Sequence, residues 1–273
     1  MRVLLVLNEK SRLGPRLGEQ VCRTLMELGI DFERDLGARE VDAVIAAGGD
    51  GTVVQTLPVA IARGVPLGIV PLGTFNDLAR TLDIPLDVRE ACAVILNGRK
   101  RKIDVGRVNG VYYVNEASVG LSTRIARKQT PEIKQQLGIA AVIATTLQSL
   151  RETRPFRVEL EYDGQRESFA TIQLTIANNA HFGGIFRRAD AAIDDGWLDL
   201  YSIEAQSWLQ ALRVVRMIVK GDPTPGEGLR TRRSTKFTVR TRRAHHIAAD
   251  GEAAGMTPAT FEILPRAVDV FVG

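Results

Sequence analysis

The chain has 273 residues, of which 45% are hydrophobic and 25% charged, and its formal net charge is +4. This length exceeds the usual range of one domain, the composition excludes a disordered chain, and the mild positive charge suits anionic partners without selecting one. The two cysteines exclude a disulfide framework and favour a reducing cytoplasm, and the longest nearly apolar stretch, Leu137–Leu147, is too short to span a bilayer.

The first hundred residues alternate short apolar runs with helical patterns, which is typical of a parallel α/β sheet. The strands predicted in this half are Val3–Leu7, Ile30–Glu33, Ala43–Ala47 and Leu67–Val70. The predicted helices are Gly14–Leu28, one that ends near Arg63, a short one after Thr74, and Asp87–Leu96. An α/β domain is therefore expected over residues 1–103.

From Lys102 onward the pattern becomes rich in strands, and Asn109-Gly110 and Asp163-Gly164 have the sequence of tight hairpin turns. The predicted strands are Arg107–Asn109, Val111–Asn115, Arg157–Tyr162, Glu167–Ala177, Trp197–Ile203, Lys236–Thr241, Ala259–Leu264 and Val268–Val272. The predicted helices are Leu121–Lys128, Glu132–Leu150 and Trp208–Lys220. The expected fold class is therefore α/β plus all-β, with a second domain over residues 104–273.

The strongest single motif is Gly48-Gly49-Asp50-Gly51-Thr52, which lies between a predicted buried strand and a helix. Glycines let the backbone approach a ligand closely, and the first amides of the helix are unpaired donors at the positive end of its dipole. These features predict a phosphate-binding site, in which the carboxylate of Asp50 needs a bridging cation, most naturally magnesium. A glycine-rich turn in which Asp50 only caps the helix is the alternative.

A second loop, Pro71–Arg80, has the same arrangement of a strand, a glycine and polar residues at a helix start. Because the carboxyl ends of parallel strands meet at one edge of a sheet, the two loops are expected to lie side by side. Helix capping by Thr74, Asn76 or Asp77 is the simpler explanation of the second loop alone. The sequence contains neither a Gly-x-x-x-x-Gly-Lys-Ser/Thr nor a Gly-x-Gly-x-x-Gly motif, which excludes a P-loop enzyme.

Together, Gly48–Thr52 and Pro71–Arg80 resemble the catalytic domain of the diacylglycerol kinase family, which includes soluble bacterial kinases of diacylglycerol and phosphatidylglycerol. Further similar segments are Ile103–Gly106, Asn115–Gly120, Asp194–Asp199, Ala249–Glu252 and Ile263–Ala267, so the resemblance covers essentially the whole chain. It implies a phosphofructokinase-like α/β nucleotide-binding domain followed by a β-sandwich, with the active site in the cleft between them. It also implies an enzyme that uses ATP and Mg²⁺ to phosphorylate a lipid hydroxyl.

The resemblance also implies roles for individual residues. Glu252 matches the general base of the family, and Asp50 would help to hold the catalytic Mg²⁺. Asp77 and Asp104 would be paired carboxylates that order the surroundings of the metal and the phosphates. The residues implied to contact ATP are Asn8, Gly49, Asp50, Gly51, Thr52, Val53, Val54, Gln55, Thr56 and Thr74. The residues implied to hold a second, structural Mg²⁺ are Asp195, by its side chain, and Ala192 and Trp197, by their carbonyls.

The segment Arg230–Arg243 contains seven basic residues and no acidic ones. As strands it would display a basic face, which is either a neutral solvated surface or a surface attracted to anionic membranes. Nucleic acid is not an expected partner, because no recognition helix accompanies the segment. The expected setting is cytoplasmic and peripheral to the membrane, with the lipid reached from the water side and a homodimer possible. For Asp195, the alternative to a structural Mg²⁺ site is an Asp-Gly turn that opens a strand without a metal.

Two other functions are compatible with parts of this pattern. NAD kinase shares a Gly-Gly-Asp-Gly-Thr loop and a similar two-domain plan, although its second loop does not resemble Gly73–Asp77. A nucleotide- or lipid-binding regulator without catalysis is the other alternative, because the first loop, Asn8-Glu9-Lys10-Ser11-Arg12, departs from the family's Asn-Pro-x-Ser-Gly. The complete set of acidic site residues favours the kinase.

Overall fold

A computed structural model describes residues 1–8, 14–35, 40–123, 153–178, 181–182, 186–187, 192–205, 207–219, 226 and 228–273. Apart from residues 121–123, the helices predicted at Leu121–Lys128 and Glu132–Leu150 lie outside the described residues, as does Lys10 of the first loop. The described part confirms the predicted fold class, because it combines an α/β layer with an antiparallel β domain.

The described residues form five helices and eighteen strands, numbered here in chain order. The helices are α1 (Gly14–Glu27), α2 (Asp50–Arg63), α3 (Asp77–Thr81), α4 (Val88–Asn97) and α5 (Trp208–Val219). Strands β1 to β9 are Arg2–Leu7, Asp31–Glu33, Ala43–Gly48, Leu67–Pro71, Lys100–Val108, Val111–Tyr113, Glu116–Gly120, Phe156–Tyr162 and Gln165–Thr171. Strands β10 to β18 are Gln173–Ala177, His181–Phe182, Phe186–Arg187, Leu198–Ile203, Leu229–Ser234, Lys236–Thr241, His246–Ala249, Glu252–Met256 and Ala259–Phe271.

The first sheet begins with four parallel strands in the order β2, β1, β3, β4, and it continues through β18, β15, β8 and β9. Strands β3 and β4 are buried along their whole length, with α2 packed on β3 and α4 on β4. Uninterrupted apolar runs are typical of parallel strands that helices cover. For this reason the sequence predicts these first four strands to within one residue at each end.

The last strand, β18, connects the two halves of the chain. Near its C-terminus it pairs in parallel with β4, with Val270 opposite Leu67, and it runs antiparallel to β5 from Phe261 to Phe271. Val270 and Phe271 are buried in the hydrophobic core of the first half, whereas Phe261 is buried in that of the second. Because β5 begins at Lys100, the proposed boundary between residues 103 and 104 falls inside a strand.

The second sheet is antiparallel, with the order β14, β13, β10, β7, β16, β17. Its apolar side chains share one core with those of the first sheet, as Leu174 and Leu200 do with Phe237 and Phe261. The prediction of one strand over Glu167–Ala177 is wrong, because β9 belongs to the first sheet and β10 to the second. The sequence pattern also does not predict β16 and β17, the hairpin that carries the candidate base.

Candidate active site

The first glycine loop joins β3 to α2 at the edge where the parallel strands end. Gly49 precedes the helix in an extended conformation, and its carbonyl accepts hydrogen bonds from Thr52 N at 2.9 Å and from Val53 N at 3.2 Å. The main-chain amides of Asp50 and Gly51, the first two residues of the helix, have no carbonyl partner within it. This loop therefore has the donor arrangement that an anion such as a phosphate requires.

The two glycine loops touch through their backbones. Leu72 N donates to Gly48 O at 2.8 Å, and a Cβ atom built on Gly73 would lie only 2.5 Å from Gly49 Cα. A side chain at Gly73 would therefore push the loops apart. Asn76, at φ 52°, closes the second loop by accepting from Gly73 N at 3.0 Å and donating to Gly73 O at 2.9 Å. Asn76 thus shapes the turn.

Asp50 connects the two loops at the starts of their helices. Its Oδ1 accepts a hydrogen bond of 3.4 Å from Leu78 N, in the first turn of α3. Asp77, the first residue of α3, is 6% exposed and lies next to this contact. The structure therefore brings Asp50 and Asp77 to one place, at the edge of the parallel sheet.

Glu252 approaches the first loop from the second sheet. It is the first residue of β17, and its side chain is exposed to solvent. Its Oε1 lies 3.9 Å from the position that a Cβ atom on Gly51 would occupy. A carboxylate that is 201 positions away from Gly51 in the sequence thus faces the first glycine loop, and a side chain at Gly51 would stand between the two.

Asp250 holds the turn that presents Glu252. Its carboxylate accepts main-chain hydrogen bonds from Val114 at 2.7 Å, Asn115 at 3.0 Å and Glu116 at 2.9 Å. Its own amide donates to the Glu116 carbonyl at 2.8 Å. These four contacts tie the Asp-Gly-Glu turn to the connection between β6 and β7, and so they fix where β17 begins.

Two carboxyl groups in this region, Glu116 and Asp250, have a raised pKa, first because of burial and second because of neighbouring acidic charges. Loss of solvation, together with the charges of Asp250 and Asp77, raises the pKa of Glu116 to about 8. Loss of solvation, with a smaller effect from the charge of Asp50, raises the pKa of Asp250 to about 7, although its main-chain hydrogen bonds act in the opposite direction. Sequence reasoning assigned no role to Glu116 or Asp250, although both lie in segments that match the family.

Among the residues that the structure describes, no three acidic, histidine or cysteine side chains converge as ligands of one metal ion. Magnesium usually keeps several waters and is bound by one or two carboxylates together with the phosphates of a substrate. Asp50, at the mouth of the phosphate loop, fits that kind of site. Its partners would then be the phosphate oxygens of the nucleotide and water.

Asp104 is placed differently from Asp50 and Asp77. It is 1% exposed, and its carboxylate accepts hydrogen bonds from Gly196 N at 2.6 Å and Arg266 N at 2.7 Å. Its own amide donates to Ile193 O at 2.8 Å. Both oxygens of Asp104 therefore join β5 to other parts of the chain, one to the turn at Gly196 and one to the bulge of β18 at Arg266, and its described contacts are structural.

The Asp195 turn combines oxygen ligands with a neighbouring arginine. The Asp195 carboxylate accepts hydrogen bonds from Trp197 N at 3.0 Å and Ala192 N at 3.4 Å, and it pairs with the guanidinium of Arg233. Arg233 also contacts Asp199 at 3.2 Å. One carboxylate and two carbonyls are a donor set that suits Mg²⁺ or Ca²⁺, but Arg233 already neutralises the carboxylate.

The other residues implied to contact ATP fall into two groups, one with exposed and one with buried side chains. Asn8 is exposed at the sheet edge, where its amide donates to Ala47 O at 3.0 Å, and Thr74 is exposed in the second loop. Val53 and Thr56 are 2% and 0% exposed, because this face of α2 packs on the core. The buried members are Thr52, Val53, Val54 and Thr56, whereas Gln55 is exposed. Val53 and Val54 belong to the hydrophobic core of the first half.

Most of the basic segment Arg230–Arg243 is neutralised by ion pairs between strands. Arg230 and Arg232 both pair with Glu167, and hydrogen bonding to Arg232 lowers the pKa of that carboxyl to about 2. Arg240 pairs with Glu161 at 3.0 Å. These ion pairs favour the interpretation of the segment as a structurally neutral face.

The chain was compared with known protein families. The family model of the diacylglycerol kinase catalytic domain matches residues 17–108. The model described as the YegS C-terminal NAD kinase beta sandwich-like domain matches residues 115–272. The first match covers the α/β layer with its two glycine loops and the second covers the antiparallel domain, and together they define a kinase.

Individual relatives agree with these matches. A diacylglycerol kinase of Bacillus subtilis (strain 168) is 32% identical over 243 residues, which cover 87% of this chain and 80% of the relative. A diacylglycerol kinase of Staphylococcus aureus (strain Newman) is 28% identical, and the match covers 84% of this chain and 74% of the relative. A solved structure assigned to the diacylglycerol kinases of Bacillus anthracis str. Sterne has a TM-score of 0.81 at 25% identity, and the match covers 100% of this chain and 95% of that one.

The chain belongs to the diacylglycerol kinase family. It is accordingly a kinase of the lipid kinase class, whose members transfer a phosphate group to a hydroxyl. No helix in the described ranges has the length and apolar character needed to cross a bilayer.

Proposed function

We propose that this enzyme uses ATP and Mg²⁺ to phosphorylate the hydroxyl group of diacylglycerol or of a phosphatidylglycerol-like lipid. The observation that carries this proposal is the position of Glu252 Oε1, 3.9 Å from the Cβ site of Gly51 in the phosphate loop. A carboxylate at that point can reach a hydroxyl that lies next to the terminal phosphate. The name of the Bacillus subtilis relative supports diacylglycerol as the class of acceptor.

The proposed nucleotide site uses groups that are accessible at the sheet edge: the amides of Asp50 and Gly51, the side chain of Asn8 and the hydroxyl of Thr74. The loop amides and the dipole of α2 stabilise the negative charge of the phosphates. Asp50 would hold Mg²⁺, which would neutralise the negative charge that develops on the leaving oxygen during the transfer. Asp77 completes the acidic surroundings of that ion.

In the proposed reaction, the lipid oxygen bonds to the γ-phosphorus as the bond from that phosphorus to the bridging oxygen of ADP breaks. The proton of the lipid hydroxyl passes to the Glu252 carboxylate, so charge does not build up on the attacking oxygen. Such a positioned base contributes about 10²–10⁴-fold to a rate. Asp250 acts as a positioning residue, because it holds the turn on which Glu252 stands.

We also propose that residues 1–103 form the nucleotide-binding domain and residues 104–273 the domain that provides the base and the lipid side of the cleft. The last strand would belong to both, since it pairs with β4 and β5. On this proposal the enzyme works at the cytoplasmic face of the membrane and takes its lipid from the bilayer.

Incubation of the purified protein with γ-³²P-labelled ATP and a panel of lipids tests this function. We expect label in diacylglycerol or phosphatidylglycerol with Mg²⁺ and none with EDTA. Phosphorylation of NAD in a parallel reaction would support the NAD kinase alternative, which the NAD kinase-like sandwich model favours. Absence of label in any component of a total lipid extract would favour a regulator without catalysis.

The Asp195 turn gives a separate prediction about the second Mg²⁺. We expect Mg²⁺ to raise the melting temperature of the wild-type protein, and to raise that of Arg233→Ala by more, because the arginine competes for the same carboxylate. Arg240→Ala, which removes a more exposed arginine from a different pair, is the matched control. Equal shifts in all three proteins, or none, would argue against a metal at this turn.

A further inference from the structure

The described side chains of helix α5 pack on the outer face of the second sheet through one side. Ala211 and Val214 are each 1% exposed and contact the cluster formed by Leu121, Ile172, Ala177, Tyr201, Ile203, Ala205 and Leu229. On the other side, Trp208, Leu209 and Leu212 are 39%, 52% and 42% exposed. A tryptophan and two leucines on the outer face of one helix form an apolar patch, whereas exposed apolar residues on most protein surfaces stand singly.

The outer face is apolar at the start of the helix and basic further along. At 100° per residue, Trp208, Leu209, Leu212, Arg213 and Arg216 fall within an arc of about 140°. Arg213 and Arg216 are exposed and make no ion pair with any residue in the described part of the chain. The helix thus differs from the basic segment, whose arginines are mostly neutralised.

We propose that this outer face of α5 docks on the surface of an anionic bilayer. Tryptophan and leucine enter the interface between headgroups and acyl chains, while arginines attract anionic headgroups at about 1 kcal/mol each. The inference rests on the proposed function, because a kinase that takes its lipid from a bilayer must meet the membrane somewhere. Helix α5 covers the sheet whose far edge strand, β17, carries Glu252.

Sedimentation with vesicles of phosphatidylserine and phosphatidylcholine, without ATP, tests the proposal. Phosphatidylserine has no alcohol group to be phosphorylated, so binding measures the surface and not the active site. We expect the double variant Leu209→Ser/Leu212→Ser to partition at least tenfold less than the wild type. The double variant Leu86→Ser/Leu96→Ser, at positions 49% and 51% exposed, is the matched control and is expected to stay within twofold of the wild type.

Two further measurements separate the apolar and the basic contributions. Arg213→Gln/Arg216→Gln is expected to remove the preference for phosphatidylserine over pure phosphatidylcholine vesicles, and high salt should have the same effect on the wild type. The chain has two tryptophans, so Trp197→Phe leaves Trp208 as the only indole. Its fluorescence should shift to shorter wavelength when vesicles are added, because the indole leaves water.

The proposal is wrong if the wild type does not bind these vesicles. It is also wrong if Leu209→Ser/Leu212→Ser binds them as well as the wild type and the control variant do. A dimer that Leu209→Ser/Leu212→Ser dissociates while vesicle binding is unchanged would show that a second copy of the chain covers this face. Because vesicle binding and the oligomeric state are measured without phosphoryl transfer, these outcomes are independent of the lipid-panel assay. Retained activity of Leu209→Ser/Leu212→Ser on a water-soluble short-chain diacylglycerol would locate the loss at the membrane step.

Discussion

Replacement of Glu252 by glutamine is expected to lower the turnover number at least a hundredfold while the affinity for ATP stays within about threefold of the wild type. Glutamine keeps the shape of the side chain but cannot accept the proton of the lipid hydroxyl, a step that contributes about 10²–10⁴-fold. Because the side chain is exposed and Asp250 holds the turn independently, the fold should not change. Steady-state kinetics and nucleotide titration measure the two quantities.

Glu159→Gln is the control for this experiment, since Glu159 is an exposed strand carboxylate outside the candidate site. Its turnover should equal that of the wild type. Turnover of Glu252→Gln within a factor of a few of the wild type would remove Glu252 from the mechanism. The lipid kinase class would remain, because family membership supports it independently.

The second large effect is expected at Asp104, on stability. Asp104→Ala should lower the free energy of unfolding by about 2–6 kcal/mol, because it removes two partly buried hydrogen bonds from the amides of Gly196 and Arg266 to a charged acceptor. That loss is a large part of the 5–15 kcal/mol that typically stabilises a domain. Urea unfolding followed by circular dichroism measures it.

Glu159→Ala again serves as the control, and its stability should change by less than about 0.5 kcal/mol. If Asp104→Ala unfolded like this control but had lost its activity, Asp104 would act in catalysis, as the family resemblance implies. If it were strongly destabilised and kept activity at low temperature, its role would be to hold the turn at Gly196 and the bulge of β18 at Arg266.

The strands next to the phosphate loops could be predicted because each is a local pattern. Ala43–Gly48 and Leu67–Pro71 are continuous apolar runs followed by glycine, and both are fully buried. The hairpin that carries Glu252 has no such pattern, because His246–Met256 consists mostly of alanine, glycine and charged residues. Its strands form because β16 pairs with β7 in the second sheet, a contact between distant parts of the chain.

The strand predicted over Glu167–Ala177 shows the same limit. No glycine or proline interrupts it, yet the chain leaves one sheet at Thr171 and enters the other at Gln173. The Thr171 hydroxyl bonds to the carbonyls of Gln173 and Ile203, which stabilises the change of sheet. Local propensity contains no information about a neighbour that is 32 positions away, as Ile203 is from Thr171.

The sequence alone determined the class of fold, the two glycine loops and the candidate site residues, because these are properties of short segments and of a family pattern. Tertiary structure decided where the candidate carboxylates lie. Asp50, Asp77 and Glu252 come together at the first glycine loop, whereas the carboxylate of Asp104 accepts hydrogen bonds from the amides of Gly196 and Arg266, and that of Asp250 holds the turn before Glu252. Electrostatic interactions and hydrogen bonds depend on distance in space, and only folding sets those distances.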